Sequence, residues 1–160
     1  MAGSAADSYT LFVEDAGQRL RLALIARYGP DVGAEATAEA LAYGWEHWDR
    51  VASMANPVGY LYRVGQSRSR VLFRARRWWN HRASFPVPSD NPEPAVEPAL
   101  PAAVASLSEK QRVAVLLVHG FGYSVREVAE LLGVSPSTVQ RNADRALAGL
   151  RDSLGVSHVA

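Results

Sequence analysis

Five polar side chains between residues 137 and 145 have the types and spacing that could hydrogen-bond to the edges of DNA bases. Arginine and glutamine can each make paired hydrogen bonds to a base edge in the major groove, and short hydroxyl side chains can make single ones. If one exposed helix face carries them all, they predict direct reading of DNA. The five residues are Ser137, Thr138, Gln140, Arg141 and Arg145.

The segment around these residues predicts a helix-turn-helix. Ser124 and Glu127 have the spacing of a capping box that begins a first helix, and Gly133 ends it. Ser135 caps a second helix and Pro136 occupies its first turn. In this motif the start of the second helix meets base edges. The alternative is an ordinary helical hairpin with a solvated polar face. The predicted buried stripe of the second helix is Val139, Ala143, Ala146, Leu147 and Leu150.

An arginine-rich segment without acidic residues runs from residue 56 to residue 82. Asn56 and Pro57 predict the start of a helix. A solvated basic helix, the alternative reading, would usually include glutamates that pair with the arginines. Guanidinium groups bind phosphates and aromatic rings stack on exposed bases, so the segment predicts contact with nucleic acid. The residues predicted to share its exposed face are Tyr60, Arg63, Ser67, Arg70, Arg74 and Arg77.

A further predicted helix, residues 33–50, carries an acidic stripe. Leu41, Trp45 and Trp48 form its apolar stripe, and Glu35 and Glu39 lie on the other side. The acidic stripe could dock on a basic protein surface, and on spacing alone a solvated face is equally compatible.

Composition argues against several classes of function. The chain has 160 residues, a net charge of +1 and no cysteine. Disulfides, thiolate zinc sites and cysteine nucleophiles are therefore excluded. The histidines form no pair four residues apart that could bind a metal. We expect no enzyme, no metal, no cofactor and no small-molecule substrate. We also expect a cytoplasmic protein without membrane insertion, since no apolar run reaches the roughly 20 residues that a membrane helix needs.

Proline divides the chain into two parts. Six of the nine prolines lie between residues 86 and 101, and proline prevents a helix or a sheet from continuing. The sequence therefore predicts an all-α protein with two small helical domains joined by a Pro-rich flexible linker. The predicted ranges are 1–82 for the first domain, 83–104 for the linker and 105–160 for the helix-turn-helix domain.

The chain resembles the bacterial RNA polymerase sigma factors of the compact extracytoplasmic-function type, within the sigma-70 family. Residues 107–145, which include the helix-turn-helix, are similar to the domain that reads the minus-thirty-five promoter element. Residues 45–50 and 56–64 are similar to the domain that binds polymerase and melts the minus-ten element. The proline-rich segment resembles the linker of the family.

The resemblance implies a non-catalytic transcription initiation factor whose partners are core RNA polymerase and promoter DNA, with an anti-sigma factor as a further candidate partner. Glu35 and Glu39 would bind polymerase. The arginine-rich helix would be the melting helix, with Tyr60, Arg63, Ser67, Arg70, Arg74 and Arg77 as its DNA-binding residues. The second helix of the helix-turn-helix would be the recognition helix, with Ser137, Thr138, Gln140, Arg141 and Arg145.

Two alternatives stay open at this point. A sigma-like helix-turn-helix regulator would use only the second half of the chain and would need no polymerase. A polymerase-binding adaptor would no longer open promoters, because Gln66, Ser67 and Val71 replace the family's usual Arg, Asn and Asp in the melting helix.

Overall fold

The computed structural model describes residues 3–75 and 98–156, and within them no β-strand occurs. The all-α prediction is confirmed. The amino-terminal half comprises α1 (Ala5–Tyr28), α2 (Pro30–Glu46), α3 (Trp48–Ala52) and α4 (Pro57–Ala75). The carboxyl-terminal half comprises α5 (Leu100–Ser106), α6 (Glu109–Val115), a π-helical turn (Leu116–Gly120), α7 (Val125–Leu132) and α8 (Pro136–Leu154). None of the described helices is long and apolar enough to span a membrane.

The first two helices pack backbone to backbone. Gly29, with φ of 89°, ends α1, and Pro30 opens α2 at once. A side chain at Gly33 would have its Cβ 2.5 Å from the Cα of Ile25, so only glycine permits this approach. The close contact fixes the face that α2 turns to solvent. The core of this half, drawn from α1, α2 and α4, includes Leu20, Leu24, Val32, Ala36 and Leu61.

The predicted apolar stripe Leu41, Trp45 and Trp48 is not continuous. The second helix ends at Glu46, and α3 begins only at Trp48. Trp48 is buried and its indole Nε1 donates to the Ser8 hydroxyl at 3.1 Å, whereas Trp45 is 53 % exposed. Both indoles lie against the ring of Tyr9, with centroids 5.3 Å and 5.2 Å away, but only Trp48 is buried.

The caps of the carboxyl-terminal half agree with the sequence analysis. Ser124 and Glu127 form a reciprocal capping box on α7, and Gly133 ends that helix with φ of 67°. Ser135 accepts a hydrogen bond from the amide of Thr138, and Pro136 is the first residue of α8. Both α6 and α7 pack against α8.

The boundary predicted for the proline-rich linker needs correction at its end. The helix α5 begins at Leu100, before the predicted boundary at residue 104. Pro101 lies in the first turn of this helix, where a proline removes no intrahelical hydrogen bond. The rest of the predicted linker, up to residue 97, lies outside the described residues.

The two halves pack directly on each other. α1 contacts α6 and the π-helical turn, and α4 contacts α7. Buried residues of both halves, such as Leu24 and Leu117, belong to one hydrophobic cluster. The sequence analysis had fixed no relative position for the two halves, and the structure brings them into contact.

Candidate nucleic-acid interface

The start of α8 presents most of the predicted base-reading residues to solvent. Ser137, Gln140, Arg141 and Arg145 are exposed, and Thr138 is partly buried. The opposite face of the helix is fixed in the core, because Val139, Ala143 and Ala146 are at most 1 % exposed. Anchoring one face in this way holds the outward side chains in a defined orientation.

Gln140 has an intrahelical partner that the sequence analysis missed. Its Nε2 donates to Asp144 Oδ1 at 2.9 Å, one turn further along α8. The bond orients the amide group and leaves its oxygen available as an acceptor. The spacing of four residues between a glutamine and an aspartate was the signal that could have revealed it.

The arginine-rich helix α4 turns its basic face outward. Arg63, Ser67 and Arg70 are exposed. Arg74 lies in α4, but its side chain and all of Arg77 are outside the described residues. The spacing of the sequence predicts a buried stripe of Leu61, Val64, Leu72 and Ala75, interrupted by Arg68. In the structure Leu61 is buried, Val64 is partly buried and Arg68 is exposed, while the side chains of Leu72 and Ala75 lie outside the described residues. The other buried residues described on α4 are Val58, Tyr62, Gly65 and Ser69.

Tyr60 belongs to a small cluster with Tyr43 and Arg50. The hydroxyls of Tyr60 and Tyr43 are 3.2 Å apart, and the Arg50 guanidinium contacts both. The hydrogen bond to Tyr43 is the main cause that raises the pKa of Tyr60. Arg50 thereby adds a cation beside the predicted melting helix. The three residues of the cluster come from three different helices, α2, α3 and α4, so sequence spacing could not identify Arg50.

The acidic stripe lies on α2, a helix that packs against both α1 and α4. Glu35 and Glu39 are exposed on α2, and the face behind them is held by buried Ala36 and Ala40. These carboxylates are therefore accessible to another macromolecule.

A cavity of about 220 Å³ lies between the halves. Arg63 and Gln66 of α4 line it from one side, and Thr138 and Asn142 of α8 line it from the other. The structure thus brings one predicted DNA-binding residue of α4, Arg63, and one of α8, Thr138, to the same cavity.

The chain is similar in sequence to known proteins. Residues 98–150 match the family description "Sigma-70, region 4". The chain is 34 % identical over 128 residues to the RNA polymerase sigma-E factor of Streptomyces antibioticus, covering 74 % of this chain and 67 % of that protein. The sigma-E factor of Streptomyces coelicolor is 32 % identical over 128 residues, with 74 % and 68 % covered.

A solved structure shares the fold. It is the sigma factor RpoE in complex with the anti-sigma factor NepR from Bartonella quintana, with a TM-score of 0.64 and 19 % identity. The similarity covers 94 % of this chain and 99 % of that one.

The helical fold and the capped helix-turn-helix define a DNA-binding transcription factor. Together with the relatives, they show that the chain belongs to the sigma-70 family of RNA polymerase sigma factors, in its compact extracytoplasmic-function group. It is a transcription initiation factor that directs core RNA polymerase to promoters, and its partners are core RNA polymerase and promoter DNA.

Proposed function

We propose that α8 reads the upstream, minus-thirty-five promoter element through Ser137, Thr138, Gln140, Arg141 and Arg145. The observation that carries this proposal is the orientation of α8, with one face at most 1 % exposed at Val139, Ala143 and Ala146. The opposite face is polar and begins at a capped helix amino terminus, the part of such a motif that enters the major groove.

The helix α4 binds and melts the minus-ten element in this proposal. Tyr60, Arg63, Ser67, Arg70, Arg74 and Arg77 would contact the DNA, with Arg50 beside Tyr60. Arginine binds phosphates through its planar guanidinium, and a tyrosine ring can stack on an unpaired base. The support is the exposure of Arg63 and Arg70 on α4, together with the lack of acidic residues between positions 56 and 82 of the sequence.

Glu35 and Glu39 bind core polymerase in the same proposal, because their carboxylates are exposed on α2 and the opposite face of that helix is buried at Ala36 and Ala40. The protein acts in the cytoplasm and supplies no catalytic group of its own. Polymerase supplies the chemistry, and this chain supplies promoter choice and opening.

Reconstitution with core polymerase tests the proposal. Transcription from a library of genomic fragments should yield promoter-specific transcripts only when the chain is present. Glu39→Lys should weaken co-purification with polymerase, and Glu14→Lys, a matched reversal at another exposed position on α1, should not. Equal loss in both variants would contradict the assignment of α2 to polymerase.

A second candidate function is that of an adaptor that binds polymerase without opening promoters. It is favoured by the position of Gln66, which lines the cavity between the halves rather than standing free in solvent. Stable co-purification with polymerase, together with no transcript from any fragment of the library, would support the adaptor and exclude promoter opening.

A further inference from the structure

The cavity of about 220 Å³ has an apolar floor. Val113 and Ala114 of α6 and Val139 of α8 line it, and each of these side chains is at most 2 % exposed. Val134, in the turn of the helix-turn-helix, also lines the cavity and is 42 % exposed. A molecule in the cavity would cover Val134, and removing apolar surface from water favours binding.

Three cationic side chains line the same cavity, namely Arg27 of α1, Arg63 of α4 and Lys110 of α6. Arg27 pairs at 3.2 Å with Glu109, the one carboxylate among the described lining residues. Arg63 and Lys110 are exposed and form no ion pair within the described part of the chain. The lining therefore carries a net positive charge, which attracts an anion.

Two buried polar groups of the lining residues lack a hydrogen-bond partner among the described residues. They are the hydroxyl of Tyr62 and the Nε of Arg27. Burial raises the pKa of Tyr62, and the charge of Arg27 only partly opposes this shift, so the hydroxyl keeps its proton at neutral pH. Buried polar groups usually have a partner. Both groups can donate, so a ligand oxygen that reaches them would satisfy a donor.

Hydrogen bonds hold the walls of the cavity in place. Arg112 of α6 precedes the lining residue Val113 and is 4 % exposed. Its Nε donates to the carbonyl oxygen of Ala26 at 3.0 Å, and a terminal nitrogen donates to that of Arg27 at 3.3 Å. Both acceptors lie in the last turn of α1. The cavity is therefore formed before a ligand binds, as is usual for small-molecule sites.

The volume of the cavity limits the size of its ligand. An apolar cavity of about 150 Å³ is large enough to hold benzene. A volume of about 220 Å³ leaves room for one six-membered ring and a small charged group. Pockets for drug-sized ligands have about 300–1,000 Å³, so a nucleotide is too large for this cavity.

We propose that this cavity is a binding site for a small aromatic carboxylate. The ring packs on Val113, Val134 and Val139, and the carboxylate is bound by Arg63 and Lys110. A guanidinium and an ammonium both form charge-assisted hydrogen bonds with a carboxylate. Arg63 is also a DNA contact in the proposed function, so the ligand competes with promoter DNA for this side chain. That consequence rests on the proposed function, whereas binding of the carboxylate does not.

Sodium benzoate is the probe for binding, because it has one ring and one carboxylate. Calorimetric titration of the full chain should show saturable binding of one benzoate, and Tm should rise with benzoate concentration. Benzyl alcohol has the ring without the charge, and acetate has the charge without the ring. Each should bind about tenfold more weakly than benzoate. No saturable binding of benzoate, or equal affinity for all three probes, would overturn the inference.

Substitutions at exposed positions locate the site without disturbing the core. Lys110→Gln should weaken benzoate binding by about tenfold, and Val134→Trp should fill the cavity and abolish binding. Arg151→Gln and Val156→Trp are matched controls at exposed positions outside the cavity, and both should bind benzoate as the natural chain does. All four variants should keep native helicity by circular dichroism. Benzoate binding that is unchanged in both Lys110→Gln and Val134→Trp would show that the ligand binds elsewhere and would overturn the inference.

Transcription with core polymerase tests the competition separately. Benzoate at its dissociation constant should lower promoter-dependent transcription by about twofold, because half of the chain is then occupied. Acetate at the same concentration should not, and Lys110→Gln should resist the effect of benzoate. Benzoate binding without any effect on transcription would overturn the competition with DNA. Absence of transcripts even without benzoate would contradict the proposed function alone, since the calorimetric titration needs no polymerase.

Discussion

The side-chain amide of Asn56 joins the two halves by donating from Nδ2 to the carbonyl oxygen of Glu130 at 2.6 Å. Its Oδ1 also accepts from the amide of Gly59 at 2.9 Å, which caps α4. One residue therefore begins the proposed melting helix and holds it against α7, the first helix of the helix-turn-helix.

These two roles of Asn56 can be separated. Asn56→Asp keeps the acceptor for Gly59 and loses the donor to Glu130, whereas Asn56→Ala loses both. We expect Asn56→Ala to lower the free energy of unfolding by about 1 kcal/mol more than Asn56→Asp, the usual value of an N-cap. Chemical denaturation measures this difference. Identical stabilities would mean that the cap contributes nothing to α4.

Glycine 33 sets the distance between α1 and α2. A Cβ there would lie 2.5 to 2.8 Å from backbone atoms of Ile25 and Leu24, which cannot move without shifting α1. We expect Gly33→Ala to destabilise the protein by about 1–3 kcal/mol, the range for overpacked cores. Thermal unfolding would show this as a lower Tm.

Gly149 provides the matched control for that substitution. It lies inside α8, where an added Cβ would meet only Leu107 Cδ2, at an ordinary 3.5 Å. Gly149→Ala should raise the free energy of unfolding by about 0.4–1 kcal/mol, because alanine restricts the unfolded chain. A loss of stability in both variants would count against the close approach at Gly33 as the cause.

Glu127 makes the stability of α7 depend on pH. Hydrogen bonds from Ser124, backbone first and then side chain, lower the pKa of Glu127 below its ordinary 4.5, and Arg19 adds to this. Because the folded pKa is the lower one, the stabilisation is complete above the ordinary value and is lost as pH falls through the folded one. Unfolding measured between neutral pH and pH of about 3 should show this loss.

Glu127→Gln is the control for the pH dependence. Glutamine can keep the capping box but cannot ionise. We expect the variant to lose stability less steeply on acidification than the natural protein. Parallel stability curves for the two proteins would show that other carboxylates account for the acid sensitivity.

Arg141 should contribute to promoter choice rather than to folding. It is exposed on α8, so Arg141→Ala should leave Tm within error and reduce discrimination between promoters by about 1–3 kcal/mol. Transcription competition between promoter variants with polymerase measures this. Arg151→Ala, at an exposed position in the last turn of the same helix, should leave the discrimination unchanged.

Salt should weaken the contact between the two halves. Two ion pairs, Arg19 with Glu127 and Arg27 with Glu109, join the halves. Between about 0.1 M and about 1 M salt the screening length falls from about 10 Å to about 3 Å. The radius of gyration of the free protein should rise over this range. An unchanged radius would indicate that apolar packing alone holds the halves together.

The sequence predicted the ends of helices correctly where the residues that determine them are close together in the chain. The capping residues Ser124 and Ser135, the glycine at 133 and the proline at 136 act within a few residues, and their predicted roles agree with the structure. The start of α4 at Pro57 followed for the same reason. These signals also identified the face of α8 that stays in solvent.

The sequence did not predict the contacts between distant helices, because such contacts depend on two complementary surfaces and not on the spacing of residues within one helix. Arg112 reads in the sequence as one more polar residue near a helix start, and its acceptors lie 86 and 85 residues away. The sequence pattern places Trp45 and Trp48 on one apolar stripe, but the break between α2 and α3 leaves Trp45 exposed and Trp48 buried. On α4 the exposure of Arg63, Ser67 and Arg70 agrees with the predicted face, whereas Arg68, predicted to interrupt the apolar stripe, is exposed. Ser69 is buried, and its hydroxyl donates to the Gly65 carbonyl.

Arg112 donates hydrogen bonds to the main-chain carbonyl oxygens of Ala26 and Arg27, and the choice of main-chain acceptors has an evolutionary consequence. Every amino acid carries the same carbonyl, so the side chains at positions 26 and 27 can drift without altering that recognition. A search for covarying residue pairs among relatives would therefore overlook these hydrogen bonds. The donor side, in contrast, requires arginine, since only arginine carries a guanidinium group.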